Sequence, residues 1–299
     1  MTTGSESTAT GAGPAVPPRR SPLVAAWRLL RTAPATAWLG LAVLAIYIVV
    51  AVFAPLVAPY GESEIVGQQY EPWSETYMFG TDQLGRDMLS RLVYGARNTV
   101  GIAILTTLLS FVLGGSIGML AAVIGGWFDQ VAGRIVDVLM AIPQLVFALV
   151  LLSMFGTNVV NLILIIAVLD ATRVFRLSRA VAMNVVVLDF VEAAKLQGER
   201  RGRIVAFEVL PNILPPLVAE FGLRFCFVFL TISALSFLGL GIQPPTADWG
   251  SMVRENATLI SYGDITPLLP AGAIAILTVA VNFIVDWFLH KASGLKDER

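Results

Sequence analysis

Six mostly apolar stretches recur along the chain, set apart by shorter polar segments. A helix needs about 20 such residues to cross the hydrocarbon core of a bilayer. Ala35–Val57, Val100–Ile124 and Ile135–Phe155 qualify directly. Val159–Val181 is apolar as far as Leu169 and then carries Asp170, Arg173, Arg176 and Arg179. Ile213–Leu235 holds Glu220 and Arg224 early and is purely apolar afterwards, and Leu268–Leu289 completes the series, with Asp286 near its end. The pattern predicts an all-α membrane protein with six transmembrane helices.

Lys and Arg placement orients these spans, because cytoplasmic segments carry the excess. With the N-terminus inside, 15 of the 20 Lys and Arg residues fall in cytoplasmic segments and only Arg86, Arg91, Arg97 and Arg254 fall outside, Arg224 lying within a span. Both termini are therefore expected in the cytoplasm. Residues 1–34 read as a Ser/Thr/Gly/Ala/Pro-rich disordered tail and its approach to the membrane. Arg19-Arg20 resembles a twin-arginine signal only superficially: the apolar run starts well downstream, is longer than a signal core, and lacks a small-residue cleavage site. Residues 35–57 form the first span, 58–99 an extracytoplasmic loop, 100–290 a core of five helices, and 291–299 a cytoplasmic tail.

Composition narrows the function classes. Of 299 residues 56% are hydrophobic and 14% charged, with mean hydropathy +0.77, whereas soluble domains average about 25% charged residues. A net charge of −1 excludes a broadly basic nucleic-acid binder. With Cys226 and His290 as the single Cys and His, neither a disulfide framework nor a His/Cys metal site can be built. No G-x-x-x-x-G-K-[ST] phosphate loop occurs, so any nucleotide energy must come from another subunit.

One segment breaks the pattern: "DFVEAAKLQGERRGRIVAFEVLPNILPP", Asp189–Pro216. Asp189 followed by Glu192 has the form of a capping box and starts a helix. Gly198 and Gly202 bracket Glu199, Arg200 and Arg201 and should turn it. Ile204, Val205 and Phe207 resume an apolar face that Pro211 ends, and Asn212 is placed to cap the next span, with Pro215 and Pro216 in its first turn. The expectation is a cytoplasmic helix-turn-helix with a charged outer side and an inner side resting on the bundle, which is the shape of a docking surface. In the outer loop, Met88, Leu89, Leu92, Val93 and Ala96 share one helical face and Arg86, Asp87, Ser90, Arg91 and Arg97 lie largely opposite, which predicts an amphipathic helix in the outer interface.

Glu192, Ala193 and Ala194, then Gly198, then Leu210 and Pro211 resemble the EAA motif of permease subunits in ATP-binding-cassette importers. "FGTDQLGRDMLSRLVYGARNTV" (Phe79–Val100) is similar to the outer-loop signature of the C-type permease of dipeptide, oligopeptide and nickel importers, carried here by Gly80, Thr81, Asp82, Gly85, Arg86, Asp87, Ser90 and Arg91. "SFLGLGIQPPTADWG" (Ser236–Gly250) resembles the same subfamily. The resemblance implies a type I importer permease in the bacterial inner membrane, with residues 189–212 as the coupling segment and Arg200 and Arg201 within it. It implies a homologous second permease, two cytoplasmic ATPase subunits that hold ATP and Mg²⁺, and an extracytoplasmic binding protein. No cofactor and no catalytic residue is expected on this chain.

Simpler readings stand beside these. Glu192 on pattern alone is a helix cap. Arg173, Arg176 and Arg179 read as topology determinants facing cytoplasm or lipid phosphate. Glu220 and Arg224, at i and i+4, form an intramembrane ion pair, either structural or on a transport path. Gly114, Gly115, Ser116 and Gly118 indicate close helix packing, and Trp73, Trp127 and Trp249 indicate interface anchoring. An ion-coupled transporter or channel using Asp170, Glu220 and Arg224 is the rival function, and an inert membrane scaffold is a third.

Overall fold

The computed structural model describes residues 33–292. Among them there is no regular strand, only two isolated bridges, Ile65 with Arg86 and Thr81 with Asp87. Residues 1–32 of the expected N-terminal tail and the last residues of the C-terminal tail lie outside the described residues.

The first apolar stretch forms α1 (Ala35–Val52), and a break at Phe53 separates it from the short α2 (Ala54–Val57), which has Pro55 in its first turn. α3 runs unbroken from Met88 to Ile124, 37 residues, through π turns at Ala96–Val100 and Phe111–Gly115. Asp87 starts it by accepting from the Ser90 N–H at 2.7 Å. The separate amphipathic helix expected in the outer interface is therefore corrected. Met88–Gly95 is the first part of α3, and Asp87, Ser90 and Arg91 on its polar side are as buried as Met88.

Ile135–Phe155 does not form one helix. α4 (Gly126–Met140) and α5 (Gln144–Phe155) meet at 87° across Ala141–Pro143. Pro143 lacks an N–H to continue the ladder and biases Ile142 away from helical backbone. Among the described residues four helices, α1, α3, α8 (Arg201–Phe237) and α10 (Leu268–Ala292), are long and apolar enough to cross a membrane, or five if the bent pair counts as one span.

α6 (Val159–Val186) has 28 residues, about 42 Å of helix. Its polar positions are what keep it out of that set, and two of them face protein. Asp170 and Ser178 are fully buried, beside Leu162, Ile166, Val174 and Ala182. α6 packs along α3, where added Cβ atoms would meet Ala171 O at 2.2 Å from Gly114 and Ser178 Oγ at 2.1 Å from Gly118. Gly114 and Gly118 thus serve the close packing expected of them, while Gly115 faces open space. α1 and α10 approach equally closely, the Cβ of any larger residue at Gly40 falling 2.5 Å from Ala280 O.

Trp249 is not an interface anchor. It is 1% exposed, its indole N–H donates to Leu92 O at 2.9 Å, and its ring meets Tyr47 and Phe229 edge to face. Trp73 donates to Thr266 Oγ1 at 2.9 Å, and Trp127 is exposed.

Candidate functional site

α7 (Asp189–Leu196) begins after Leu188, which offers no side-chain cap. Asp189 and Glu192 instead occupy the first turn, where carboxylates complement the helix dipole. The capping-box reading is thus corrected. Gly198 ends the following turn at φ +77°, the left-handed region that side chains with a Cβ disfavour, and an added Cβ would meet nothing within 4 Å. Gly198 is therefore required by backbone conformation alone.

α8 starts at Arg201 and runs without interruption to Phe237, 37 residues or about 55 Å. Pro211 does not end it and Asn212 does not cap a new helix. A π turn at Ile204–Val209 takes up the break at Pro211, and Asn212 Nδ2 donates to Glu208 O at 2.7 Å. Since crossing takes about 20 residues, the first turns of α8 project past the span as part of the same helix.

The inner side of this segment matches expectation. Val191, Ile204, Val205 and Val209 are buried with Met119, Ala182, Val185 and Ile213 from α3, α6 and α8. Its outer side is less charged than expected. Leu196 is 83% and Phe207 70% exposed, among exposed Glu192, Ala193, Arg200, Arg201 and Pro211, with Ala194 and Leu210 half-buried. The Phe207 position, read from sequence as inward, faces out.

The outer signature closes on itself. Gly80 and Gly85 take φ +71° and +76° where a Cβ would strike Glu71 O and Gly67 O at 2.4 and 2.2 Å. Thr81 Oγ1 donates to Gln68 O at 2.6 Å and accepts from the Glu71 N–H at 2.8 Å. Asp82, fully buried, accepts from the Leu84 and Arg86 N–H groups and from Arg86 Nε at 2.7 Å, and pairs with Arg91 Nη1. Both arginines also reach Glu255, in α9 (Trp249–Asn256), at 3.3 and 3.0 Å. Burial alone would raise the Asp82 carboxyl, but the Arg86 N–H, Arg91, the Leu84 N–H and the Arg86 guanidinium outweigh it and hold it below the usual range. Asp248, which caps α9 through the Ser251 N–H at 2.8 Å, is pushed up by burial against the hydrogen bonds it accepts. Sequence reasoning missed Glu255: it lies 169 residues from Arg86, and no local pattern connects them.

Glu220 and Arg224 do pair, at 2.8 Å, and Arg224 also lies 3.6 Å from Asp170, which accepts from Ser110 Oγ at 3.2 Å. The Arg224 Nε contact is close without hydrogen-bond alignment, so Coulomb attraction carries it. The pair is a triad across α6 and α8, with two carboxylates to one guanidinium. Arg224→Gln should therefore be worse than Glu220→Gln, since it removes the counter-charge that both carboxylates share, a loss of about 3–5 kcal/mol. Folded yield in detergent, measured by size-exclusion chromatography, checks this, and equal yields would contradict it. Arg173, Arg176 and Arg179, expected to face cytoplasm or lipid phosphate, also have partners within the protein. They bind Gln144, Asp137 (2.6 Å) and Asp129 (Nη2 at 2.5 Å), respectively.

Known proteins match most of the length of this chain. The family described as "Binding-protein-dependent transport system inner membrane component" matches residues 114–291, and "N-terminal TM domain of oligopeptide transport permease C" matches residues 21–73. The dipeptide transport system permease protein of Alkalihalophilus pseudofirmus is 32% identical over 260 residues, 86% of this chain and 83% of that protein. The di/tripeptide transport system permease protein of Pseudomonas aeruginosa is 33% identical over 265 residues, 86% and 85% respectively. A solved structure titled "Crystal structure of an amino acid ABC transporter with histidines" matches in fold at TM-score 0.50 and 16% identity, covering 68% of this chain and 94% of that one. The chain is a multi-pass membrane protein that belongs to the binding-protein-dependent permease family of ABC importers, in its dipeptide/oligopeptide branch.

Proposed function

We propose that the chain forms half of the membrane pathway of an ATP-driven importer for short peptides, beside a homologous second permease. Two cytoplasmic ATPase subunits bind ATP and Mg²⁺, and an extracytoplasmic binding protein delivers substrate. The chain holds no cofactor and performs no covalent step. The peptide class rests on the relatives, which are named for dipeptide and di/tripeptide transport.

Residues 189–212 are the coupling element, with Glu192, Ala193, Ala194, Gly198, Arg200, Arg201, Leu210 and Pro211 at or beside the ATPase contact. One observation carries this reading: a turn held by Gly198 leads into a single helix that starts on the surface and continues into the span. Closure of the ATPases displaces α7 and the start of α8, and the membrane part of α8 follows, so the path opens alternately to either side. Uptake of a radiolabelled dipeptide into proteoliposomes holding the whole complex tests it. Transport should require internal or external ATP on the ATPase side and persist when the proton gradient is collapsed.

The Asp170, Glu220 and Arg224 triad favours a second reading, an ion-coupled carrier, because buried ionisable groups mark ion paths. Uptake driven by a proton gradient without ATP would select it.

The inner membrane, with both termini cytoplasmic, is the proposed location. A cysteine replacing exposed Glu75 should react with an impermeant maleimide in intact cells, and one replacing exposed Lys195 only after permeabilisation. The reverse order would invert the topology.

A further inference from the structure

Two hollows adjoin on α4 and α6. One, of about 300 Å³, is polar: Asp129, Arg134, Asp137, Arg176 and Arg179 line it. The other, of about 550 Å³, is an apolar groove between α3, α4 and α6, with Leu113, Ile117, Trp127 and Ile135 on its walls. Val136 and Phe175 line both.

We propose that the two hollows form one binding site for an anionic phospholipid, the acyl chain in the groove and the phosphate at the arginines. The groove offers a polar solute little: the Thr172 hydroxyl already donates to Leu169 O at 2.7 Å, and the other polar group on its wall is the indole N–H of Trp127. Its volume falls within the roughly 300–1,000 Å³ of ligand pockets. In the polar hollow, Asp129 and Asp137 occupy only part of Arg179 and Arg176. Arg176 uses Nη2 alone and Arg179 uses Nε and Nη2, leaving each guanidinium further donors. Arg134 is exposed and has no ion-pair partner among the described residues. Three arginines face two aspartates, so one positive charge is left over, and basic pockets between transmembrane helices select acidic headgroups. Trp127, 77% exposed at the groove, suits headgroup level. A second protein helix could fill the groove but would leave Arg134 and the surplus charge unanswered.

The complete transporter, purified and stripped of lipid, is titrated with phosphatidylglycerol and phosphatidylcholine of identical acyl chains, and bound lipid is counted by native mass spectrometry. Phosphatidylglycerol should be retained about fivefold better, the factor expected of one net surface cation. Arg134→Gln should bring the two lipids level, and Arg134→Lys should keep the preference. Ala132→Phe, on the groove wall, should reduce retention of both. Should that variant fail to assemble, the Arg134 pair decides, since it lies on the surface. Equal retention of the two lipids by the native complex overturns the proposal. So does displacement of phosphatidylglycerol by millimolar inorganic phosphate with no effect of Ala132→Phe, which describes a free-anion site. Cross-linking of a cysteine at Ile117 to the second permease makes the groove a subunit interface and sinks the proposal as well.

Discussion

Replacing Gly198 with valine is expected to leave a permease that inserts and assembles but no longer couples ATP hydrolysis to uptake. The native φ of +77° costs a β-branched residue roughly 1–3 kcal/mol, and an added Cβ would meet nothing that adds to or relieves the strain. The turn therefore shifts toward an ordinary conformation and re-aims α7 against α8. The apolar contacts of the spans do not involve this residue, so the bundle persists. Gly198→Asn, which tolerates the left-handed region, should retain most uptake, and that contrast separates conformation from side-chain bulk. Glu192→Ala should be mild, since within this chain Glu192 caps nothing and supplies a dipole contact of about 0.3–1 kcal/mol, beside one polar contact with the ATPase. Dipeptide uptake and peptide-stimulated ATP hydrolysis are measured on the reconstituted complex, with subunit content checked by gel. Wild-type uptake by Gly198→Val would remove residues 189–212 from the coupling role. ATPase subunits lost on purification would assign the segment to docking, and subunits retained without stimulation would assign it to transmission.

Arg91→Met should be the most destabilising change in the outer region. Asp82, Glu255, Arg86 and Arg91 form a buried set with two charges of each sign. Removing one arginine leaves a carboxylate without its counter-charge in a dry place, a cost of about 3–5 kcal/mol. Glu255→Gln added to Arg91→Met restores the balance and should recover much of the loss. Thermal unfolding of the purified complex, followed by fluorescence-detected chromatography, reads both. A single variant as stable as wild type would mean that the set is hydrated and not a buried lock. The acid response follows from Asp82, whose folded-state pKa is depressed. Its contribution is fully present above the unfolded value near 3.9 and is lost as pH falls through the lower folded value. The lock should therefore hold unchanged across neutral and mildly acidic conditions.

What the sequence revealed and what it hid divide along the distance over which the physics acts. Apolar runs, the Gly198 turn and the i, i+4 pairing of Glu220 with Arg224 depend on neighbours a few residues away, and each is present in the fold. Glu255 beside Arg86, Asp170 beside Arg224 and Asp129 beside Arg179 join residues far apart in the chain, and a hydropathy window carries no trace of them. The same window treated the polar side of Met88–Gly95 as wet, because buried and hydrated arginines read alike until a partner is known. The 87° break was locally marked by Pro143, but the continuous apolar run from Leu145 onward outweighed it. Pro211 misled in the opposite direction, since a π turn let the helix continue through it.

The composition of α6 also bears on how the protein is made. A charged residue at the centre of an isolated helix costs roughly 2.5–3.5 kcal/mol on leaving the translocon, and α6 carries Asp170, Arg173, Arg176 and Arg179 along one stretch. Three of their partners, Ser110, Asp129 and Asp137, and the glycines that admit close approach all precede α6 in the chain. Arg224 alone is synthesised later. Biosynthesis thus delivers the partners of α6 before α6 itself, which lets the nascent helix enter lipid already paired on one side. Asp170 completes its compensation only when α8 arrives, so the last checkpoint of biogenesis falls on the helix that also begins at the cytoplasmic turn.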